Sequence, residues 1–323
     1  MKTRRLGRTG LPVPEIGVGG YSFQDATRRD AHIAVIRRAV ELGVTLIDTA
    51  PGYGASEETV GIALEGLPRE QVILSTKYYP YGEGDALNLS GDDFAKSLAR
   101  SLERMKTTYV DLIHLHWVHT ADDIRRLLVS DVARVMRRLQ TEGKVRYLAV
   151  SEATELDGQH TMLQTALPMR FFDSVMVTHN VFLQNAALGI FPLAHQADAG
   201  VLVMMPLNQP PTPGSGLVSR ESASENIRRL QAENQLPAGA PYDDPALLDF
   251  LTDGALAAGT QATLPQAAIR YVLDHREVSC ALVGTTNPAH LEAAVAASEM
   301  PPLTRPVHAK AGSLFGKINK QVK

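Results

Sequence analysis

The sequence predicts an α/β fold, a single (β/α)8 barrel of the TIM type. Short apolar runs with strand character alternate with longer amphipathic patterns at helical spacing, and eight strand candidates can be counted. Parallel strands need long crossover connections, and the crossover helices bury the strands, which explains the near-continuous apolar runs. The 323 residues, of which 44% are hydrophobic, are enough to bury the core of one barrel.

The predicted elements follow one another in chain order. The strands are residues 16–20, 44–50, 72–77, 111–116, 145–151, 174–180, 200–207 and 279–285. The helices after the first four strands are residues 28–42, 56–64, 92–105 and 122–141, the last of which ends before Gly143. An open, doubly wound sheet is the alternative, but Ser22 stands where the third glycine of its nucleotide-binding fingerprint belongs. We therefore expect a closed barrel.

One segment departs from the regular alternation. Residues 208–243 contain PPTPGSG, then a polar helical stretch near residues 221–234, then PAGAPYDDP. We interpret this segment as a long loop insertion after the seventh strand, and loops of this length are often functional lids. No second domain is indicated, so residues 1–323 are expected to form one barrel domain with 208–243 as its lid.

Composition narrows the classes of partner. The 32 basic and 35 acidic side chains give a net charge of -3, without the basic excess of a nucleic-acid binder. The single cysteine, Cys280, forbids an internal disulfide and suits a reducing compartment. No apolar run approaches a signal peptide or a membrane span. We expect a soluble cytoplasmic protein that acts on a small molecule, without nucleic-acid or membrane partners and with its oligomeric state left open.

Four polar residues follow the second, third and fourth strands, at the barrel end where active sites lie. They are Asp48, Tyr53, Lys77 and His116. An ammonium lowers the pKa of a neighbouring phenol, ordinarily about 10, so Lys77 would make Tyr53 a usable acid and base. Asp48 would balance the lysine, and His116 would orient a substrate oxygen or share the proton. Taken singly, each residue has an ordinary structural explanation, but together they suit the interconversion of a carbonyl and an alcohol.

Aromatic side chains accompany these residues in the loops after the first, third and fourth strands. Tyr21, Tyr79 and Trp117 are predicted to wall a substrate pocket, which would accept either a sugar face or an aromatic ring. Three histidines fall within residues 114–119, and imidazole is a common zinc ligand. Because no cysteine or further ligand at suitable spacing lies nearby, we expect no metal site.

The residues also carry a family resemblance from about Arg4 to Ala297. The matching segments are LGRTGLPVPEIGVGG, GVTLIDTAPGYGASEETVG, VILSTK, SLERMKTTYVDLIHLHW, GKVRYLAVS and LPQAAIRYVLDHREVSCALVGTTNPAHLEAAV. In these segments the chain resembles the aldo-keto reductase superfamily. The resemblance implies a barrel that binds NAD(P)(H) without a Rossmann domain. It also implies hydride transfer with Asp48, Tyr53, Lys77 and His116 as the catalytic residues.

The same resemblance implies a set of cofactor-binding positions. They are Ser151, Glu152, Met176, Pro206, Leu207, Gly284, Thr285, Thr286 and His290. Three of them depart from the family pattern. Glu152 replaces the usual asparagine and Met176 the usual glutamine at the nicotinamide amide, and His290 is the only potentially cationic group in GTTNPAHLEAA, where the family places Lys or Arg for the 2′-phosphate. An asparagine usual in the following helix is replaced by Ala294.

These departures keep several hypotheses open. If Glu152 faces the nicotinamide, its charge favours the oxidised ring; alternatively Glu152 is protonated, paired with a base or turned to solvent. The favoured function is a nicotinamide-dependent oxidoreductase acting on an aldehyde, a ketone or a sugar-like substrate. A redox-neutral isomerase or lyase that retains its dinucleotide, and a cofactor-bound regulatory subunit, are the alternatives.

Overall fold

Eight parallel strands close into a barrel in a computed structural model that describes residues 1–207, 216–244, 246–257 and 260–318. The barrel strands are β3 (Ile16–Gly19), β4 (Leu46–Asp48), β5 (Ile73–Tyr78), β6 (Val110–Val118), β7 (Val145–Glu152), β8 (Ser174–Thr178), β9 (Gly200–Met204) and β10 (Cys280–Val283). They pair in sequence order, and β10 closes the barrel by pairing with β3. The predicted (β/α)8 barrel is confirmed, and its eight strands match the eight predicted runs.

Twelve α-helices lie within the described residues. They are α1 (Arg29–Glu41), α2 (Ser56–Ala63), α3 (Gly91–Arg104), α4 (Ala121–Leu128), α5 (Asp131–Thr141), α6 (Thr161–Ala166), α7 (Ala186–Gly189), α8 (Phe191–Ala197), α9 (Arg220–Ala232), α10 (Leu264–Leu273), α11 (Pro288–Glu299) and α12 (Arg305–Phe315). The helices bury the outer faces of the strands in one continuous apolar cluster that extends from Ile16 to Ile318. The described residues therefore form one domain.

The single helix predicted for residues 122–141 is wrong. The structure divides it into α4 and α5 around Val129, which is 88% exposed, and Ser130. The Ser130 hydroxyl accepts a hydrogen bond from Val132 N at 3.2 Å and so caps the second helix. Serine competes for backbone donors in this way at helix starts, which ends one helix and begins the next.

Side chains alternate between the two faces of each barrel strand, and this alternation decides what reaches the interior. A second apolar cluster, the barrel interior, gathers residues from strands all around the barrel. Its strand members are Leu46, Ile73, Leu112, Met176, Leu202, Cys280 and Leu282. Residues one position away, such as Ile47 and Leu74, belong instead to the outer cluster beneath the helices. A residue two positions after an interior residue in an unbroken strand therefore also faces the interior.

A hairpin that the sequence did not predict closes one end of the barrel. Its strands are β1 (Thr3–Arg5) and β2 (Pro12–Pro14), and Leu6 and Val13 pack into the barrel interior. Gly200 makes this possible, because a Cβ there would lie 2.3 Å from Leu6 Cδ1. With the amino-terminal end of the strands sealed, the carboxyl end is the open one.

The structure describes only part of the segment 208–243 that is predicted to be a lid. Residues 208–215 lie outside the described residues, while α9 confirms the polar helical stretch predicted nearby. Ala223, Ile227 and Leu230 on α9 are buried in the outer cluster. Separately, no helix in the described ranges is both long and apolar enough to cross a membrane.

Candidate active site

Four predicted catalytic residues meet at the open end of the barrel. Asp48 ends β4, Lys77 lies near the end of β5, and His116 lies near the end of β6. Asp48 follows Leu46 by two positions and Lys77 follows Ile73 by four, so both side chains face the barrel interior. Tyr53 stands in the turn between β4 and α2, and the structure brings it over the lysine.

Asp48 and Lys77 form a buried ion pair. Their exposed fractions are 3% and 1%, and Lys77 Nζ donates a hydrogen bond to Asp48 Oδ2. The same ammonium donates to Thr49 O at 2.8 Å, while Ser75 Oγ donates to Asp48 Oδ1 at 2.7 Å. Every partner comes from β4, β5 or the turn after β4, so the pair is fixed by the strands themselves.

Tyr53 lies directly above this pair. Lys77 Nζ is 4.8 Å from the centroid of the Tyr53 ring. Burial raises the pKa of Tyr53, and although Lys77 lowers it by its charge and a hydrogen bond, the net direction is upward. Desolvation therefore outweighs the predicted lowering of the Tyr53 pKa by Lys77, and the phenol is protonated at neutral pH.

The two members of the ion pair respond differently to burial. Desolvation raises the pKa of Asp48, and the opposing attraction of Lys77 does not cancel it. Burial acts to lower the pKa of Lys77, but Asp48 and Tyr53 together raise it above its ordinary value. Lys77 therefore keeps its proton, as a cation beside a carboxylate and a phenol does.

His116 faces Tyr53 across the mouth of the barrel. The centroids of the two rings are 5.8 Å apart. Burial, followed by the charge of Lys77, holds the pKa of His116 well below its usual range, so the imidazole is neutral at neutral pH. A neutral imidazole can donate a hydrogen bond to a substrate oxygen without competing for the proton of Tyr53.

The neighbouring histidines have other surroundings. His114 pairs in register with Lys77, and burial holds its pKa well below the usual range. The ring of His119 stacks on Tyr81 with centroids 4.0 Å apart. Within the described ranges no group of three or more His, Cys, Asp or Glu is placed to hold a metal ion.

Three aromatic side chains surround the opening above Tyr53 and His116. The ring of Tyr21 lies 5.2 Å from that of Tyr53, and the ring of Tyr79 lies 6.4 Å from that of His116. The ring centroids of Trp117 and Tyr79 are 6.2 Å apart. All three of the predicted pocket residues are exposed to solvent. The structure therefore brings them together around the two central rings.

The predicted amide-binding residues divide into two groups. Ser151 pairs in register with Met176, and Met176 packs in the barrel interior. The Ser151 hydroxyl accepts a hydrogen bond from Trp117 N at 2.9 Å, which leaves its own proton free to be donated. Glu152, one position on, lies with Val150 on the outer face, and its carboxylate is occupied by protein partners.

The remaining cofactor positions lie at the ends of β9 and β10. Pro206 and Leu207 follow β9 and are buried. Gly284, Thr285 and Thr286 connect β10 to α11 and are half-buried, and His290 is exposed on the first turns of that helix. The structure places this second group together beside the open end of the barrel.

Sequence reasoning missed three polar residues that support the site: Ser75, Glu155 and His160. Ser75 could have been found, because it precedes Lys77 by two positions and must face the same interior. Glu155, which accepts from Trp117 Nε1 at 3.1 Å, and His160 belong to a loop. No periodic pattern predicts the partners of loop side chains.

A closed (β/α)8 barrel with a buried lysine–carboxylate pair beneath a tyrosine at its open end is the arrangement that the family comparison has to account for. The sequence model of the aldo/keto reductase family matches residues 15–314. The chain therefore belongs to the aldo/keto reductase family, as the sequence resemblance predicted, and it is an NAD(P)-dependent oxidoreductase.

Individual relatives agree with this assignment. L-galactose dehydrogenase from Arabidopsis thaliana is 29% identical over 314 residues, covering 92% of this chain and 88% of the relative. NADH-specific methylglyoxal reductase from Escherichia coli K12 is 28% identical over 322 residues, covering 92% and 93%. An aldo-keto reductase from Bacillus halodurans, solved in its holo form, superimposes with a TM-score of 0.70 at 25% identity, covering 99% of this chain and 97% of that one.

Proposed function

We propose that the protein interconverts a carbonyl and an alcohol on a small molecule, with NAD(P)(H) as the hydride carrier and Tyr53 as the acid and base. One observation carries the proposal: the buried Asp48–Lys77 pair lies beneath the Tyr53 ring, 4.8 Å from Nζ to the ring centroid. An ion pair buried this deeply costs desolvation energy, and it is worth retaining where its charge acts on a neighbouring group.

In the reducing direction Tyr53 donates the proton. Its raised pKa keeps the hydroxyl protonated at neutral pH, as a proton donor requires. As the carbonyl oxygen gains negative charge and takes the proton, the phenolate that forms is stabilised by Lys77. A reduced nicotinamide dinucleotide, when bound, would supply the hydride that the carbonyl carbon gains. Asp48 keeps the ammonium in place throughout, and neutral His116 donates a hydrogen bond that orients the oxygen.

The donor groups at the rim fit a dinucleotide at one end better than at the other. The exposed start of α11, after Thr285 and Thr286, presents the positive end of the helix dipole, which suits a phosphate, although Pro288 has no N–H and Ala289 N donates to Asn287 Oδ1 at 3.0 Å. At the amide end Ser151 supplies a hydroxyl, whereas Met176 has no donor and the Glu152 carboxylate is engaged elsewhere. We therefore propose that Ser151 and the segment 284–290, with Pro206 and Leu207, hold the cofactor.

The substrate pocket is proposed to lie between Tyr21, Tyr79 and Trp117. Aromatic rings at these positions exclude water from the reacting carbonyl and accept an apolar ring or sugar face. Residues 208–243 are proposed to act as a lid over this opening, which limited proteolysis with and without dinucleotide tests. The single buried Cys280 supports the cytoplasm as the proposed location.

The test of this function follows the absorbance of added reduced dinucleotide with a set of aldehydes, ketones and sugars. We expect consumption that matches product formation, which a redox-neutral enzyme or a regulatory subunit would not show. Tyr53→Phe should lower turnover by about 10²-fold to 10⁴-fold while leaving dinucleotide affinity intact. Tyr147→Phe is the matched control, because that hydroxyl donates to Thr9 O at 3.1 Å at the closed end of the barrel. Turnover within about twofold of wild type in Tyr53→Phe would contradict the assignment.

A further inference from the structure

Glu152 is a fully buried charge that the proposed chemistry does not use. It ends β7 at 1% exposure, and its position in the strand alternation puts it on the outer face, opposite to Ser151. A carboxylate in such surroundings needs partners, because burying an isolated charge costs far more free energy than any single contact returns. The partners it has indicate what it does.

Both oxygens of the Glu152 carboxylate are engaged. Oε1 accepts from Thr178 N at 2.9 Å, which ties β7 to β8, and from Thr154 Oγ1 at 3.1 Å. Oε2 lies 2.6 Å from Nδ1 of His160, a side chain at 2% exposure. The carboxylate thus connects two barrel strands to a histidine eight residues further along the chain.

The histidine closes a loop. We call residues 153–160 the β7–α6 loop; Glu152 precedes it and His160 is its last residue, immediately before α6. His160 has φ 58°, a left-handed backbone that side chains other than glycine adopt at some cost. The Glu152–His160 contact therefore joins the two ends of the loop and fixes the unusual backbone between them.

The middle of the loop reaches the substrate pocket. Glu155 accepts a hydrogen bond from Trp117 Nε1 at 3.1 Å. Trp117 also has a left-handed backbone, with φ 56°, next to His116 in the strand, and its own N–H donates to Ser151 Oγ at 2.9 Å. An exposed indole in a strained backbone keeps one orientation only when both its ring and its backbone are held.

We propose that Glu152 and His160 are positioning residues: by closing the β7–α6 loop, they hold Glu155 and so fix the Trp117 side chain that walls the substrate pocket. The consequence for substrate binding rests on the proposed function, whereas the consequence for Trp117 does not. Neither residue needs to touch substrate or cofactor.

The charge balance supports this pairing. Burial acts to lower the pKa of His160, but the hydrogen bond and charge of Glu152 outweigh it and raise the pKa above its ordinary value. Asp157 on the same loop and the Asn185 side chain act in the same direction. The nearby His179 is held well below its usual pKa by burial and carries no competing charge at neutral pH.

The test uses a property of the sequence, because Trp117 is the single tryptophan and its fluorescence reports on one side chain. His160→Ala removes the contact to Glu152. His160→Asn keeps it, because the asparagine amide stands where Nδ1 stands and asparagine tolerates a left-handed backbone. Glu155→Ala cuts the loop from Trp117 at the surface, where folding is not at risk.

We expect His160→Ala and Glu155→Ala to change Trp117 emission and acrylamide quenching in the same way, and His160→Asn to restore the wild-type signal. With a carbonyl substrate, both alanine variants should raise KM about fivefold while kcat stays within about twofold. Their effects should not add, since His160→Ala in the Glu155→Ala background removes a link already cut.

His308→Ala is the matched control. It removes another histidine–carboxylate contact, from His308 Nε2 to Asp274 Oδ2 at 2.9 Å, which lies just after α10 and before β10 at the closed end of the barrel. This variant should lower the melting temperature without changing Trp117 fluorescence or KM.

Unchanged Trp117 quenching in a folded His160→Ala protein, or fully additive effects with Glu155→Ala, would overturn the proposal. Should His160→Ala fail to fold, Glu155→Ala and Glu152→Gln decide the matter, since both must then shift the Trp117 signal. The fluorescence is measured without substrate, so a failure of the proposed carbonyl chemistry leaves this result standing on its own.

Discussion

Two buried charge pairs lie at the open end of this barrel, and they differ in one respect. Asp48–Lys77 lies inside the barrel below Tyr53, whereas Glu152–His160 lies outside it, between the strands and the helical layer. Both carboxylates end a strand, and both are at most 3% exposed. The difference is that Asp48 falls on an inward position of β4 and Glu152 on an outward position of β7.

The position in the strand alternation decides what each pair does. Under the proposed function, the charge facing the interior acts directly on the reacting phenol, because the barrel excludes water and leaves the field unscreened. A charge facing the helical layer acts on the backbone, through hydrogen bonds that fix strands and loops. Neighbouring positions on a strand face opposite sides of the sheet. A carboxylate one position further along would therefore support the backbone instead of facing the proposed reaction site.

The largest effect that tests this comparison is expected for Lys77→Met, which removes the inner cation at similar volume. Turnover should fall by at least about 10²-fold, because Tyr53 loses the charge that stabilises its phenolate. The unpaired, buried Asp48 should also lower the free energy of unfolding by about 3–5 kcal/mol. Steady-state kinetics and urea unfolding measure the two effects separately.

Asp48→Asn is the matched variant, since it keeps Lys77 but removes the carboxylate that raises the lysine pKa. The outer pair gives the contrast: His160→Ala should cost stability and KM while largely sparing kcat. A Lys77→Met enzyme that keeps wild-type kcat, or a His160→Ala enzyme that loses it, would erase the distinction between the two pairs.

The alternation of side chains along the strands also decides how much of the fold and of the candidate site the sequence could predict. The barrel and the meeting of Asp48, Lys77 and His116 at one rim could be predicted, because strand ends in a parallel barrel all meet at one end. The outward direction of Glu152 follows from the same alternation but was missed, because the resemblance treated it as a neighbour of Ser151 without regard to strand face; its pairing with a base was one of the alternatives kept open. His160 could not be predicted, since its partner is chosen by a loop closing in three dimensions. The upward pKa of Tyr53 was missed because burial cannot be read from spacing.

Stability should fall in acid because of histidines that the fold keeps neutral. Burial lowers the pKa of His114, His116, His179 and His275. Below their ordinary pKa of about 6.5 the unfolded chain binds protons that the folded chain refuses, so the free energy of unfolding decreases by up to about 1.4 kcal/mol per pH unit for each. His160 has the opposite sign: its raised pKa adds stability that is complete below about 6.5 and is lost as the pH rises through its folded value.

Urea unfolding at several pH values between about 7.5 and 5 measures this slope. His179 packs between the rings of Phe191 and Tyr271, so His179→Leu should flatten the slope by one proton at most. A free energy of unfolding that stays constant or rises as the pH falls would show that the outer pair, rather than the neutral histidines, dominates.

The next smaller effect is expected in the preference between NADH and NADPH. The segment after β10, GTTNPAHLEAA, contains no Lys or Arg that could bind a 2′-phosphate. Arg38 on α1 forms an ion pair with Glu292 on α11, with 2.8 Å between Arg38 Nη2 and Glu292 Oε1. The positive end of the α11 helix dipole still attracts an anion, so both cofactors should bind. We expect dissociation constants of NADH and NADPH to differ by less than about 100-fold, or about 2.7 kcal/mol. His290→Arg should shift the ratio toward NADPH; a stronger NADPH preference in the wild type would require a basic residue supplied from another part of the chain.

The smallest effect is expected for the outer carboxylate on the cofactor itself. If Glu152 faced the nicotinamide at about 5 Å, its charge would favour the oxidised ring by up to about 3 kcal/mol at an effective dielectric of about 20. The structure places its carboxylate on the outer face, with Oε2 2.6 Å from His160 Nδ1, so the carboxylate does not face the nicotinamide from the barrel interior. Glu152→Gln should therefore leave the ratio of the dissociation constants for oxidised and reduced cofactor within about twofold.

Titration of both cofactor forms into wild type, Glu152→Gln and His160→Asn measures this ratio. A tenfold shift, equal to about 1.4 kcal/mol or about 30 mV in the bound potential, would mean that the carboxylate acts on the ring across the strand. His160→Asn adds a control that needs no change at Glu152, because it removes the titratable imidazole and keeps the hydrogen bond. If the ratio of the two dissociation constants also stays constant in His160→Asn, the carboxylate is too far from the cofactor, and on the wrong face of the strand, to act on it. The preferred direction of catalysis must then come from Tyr53, Lys77 and the substrate.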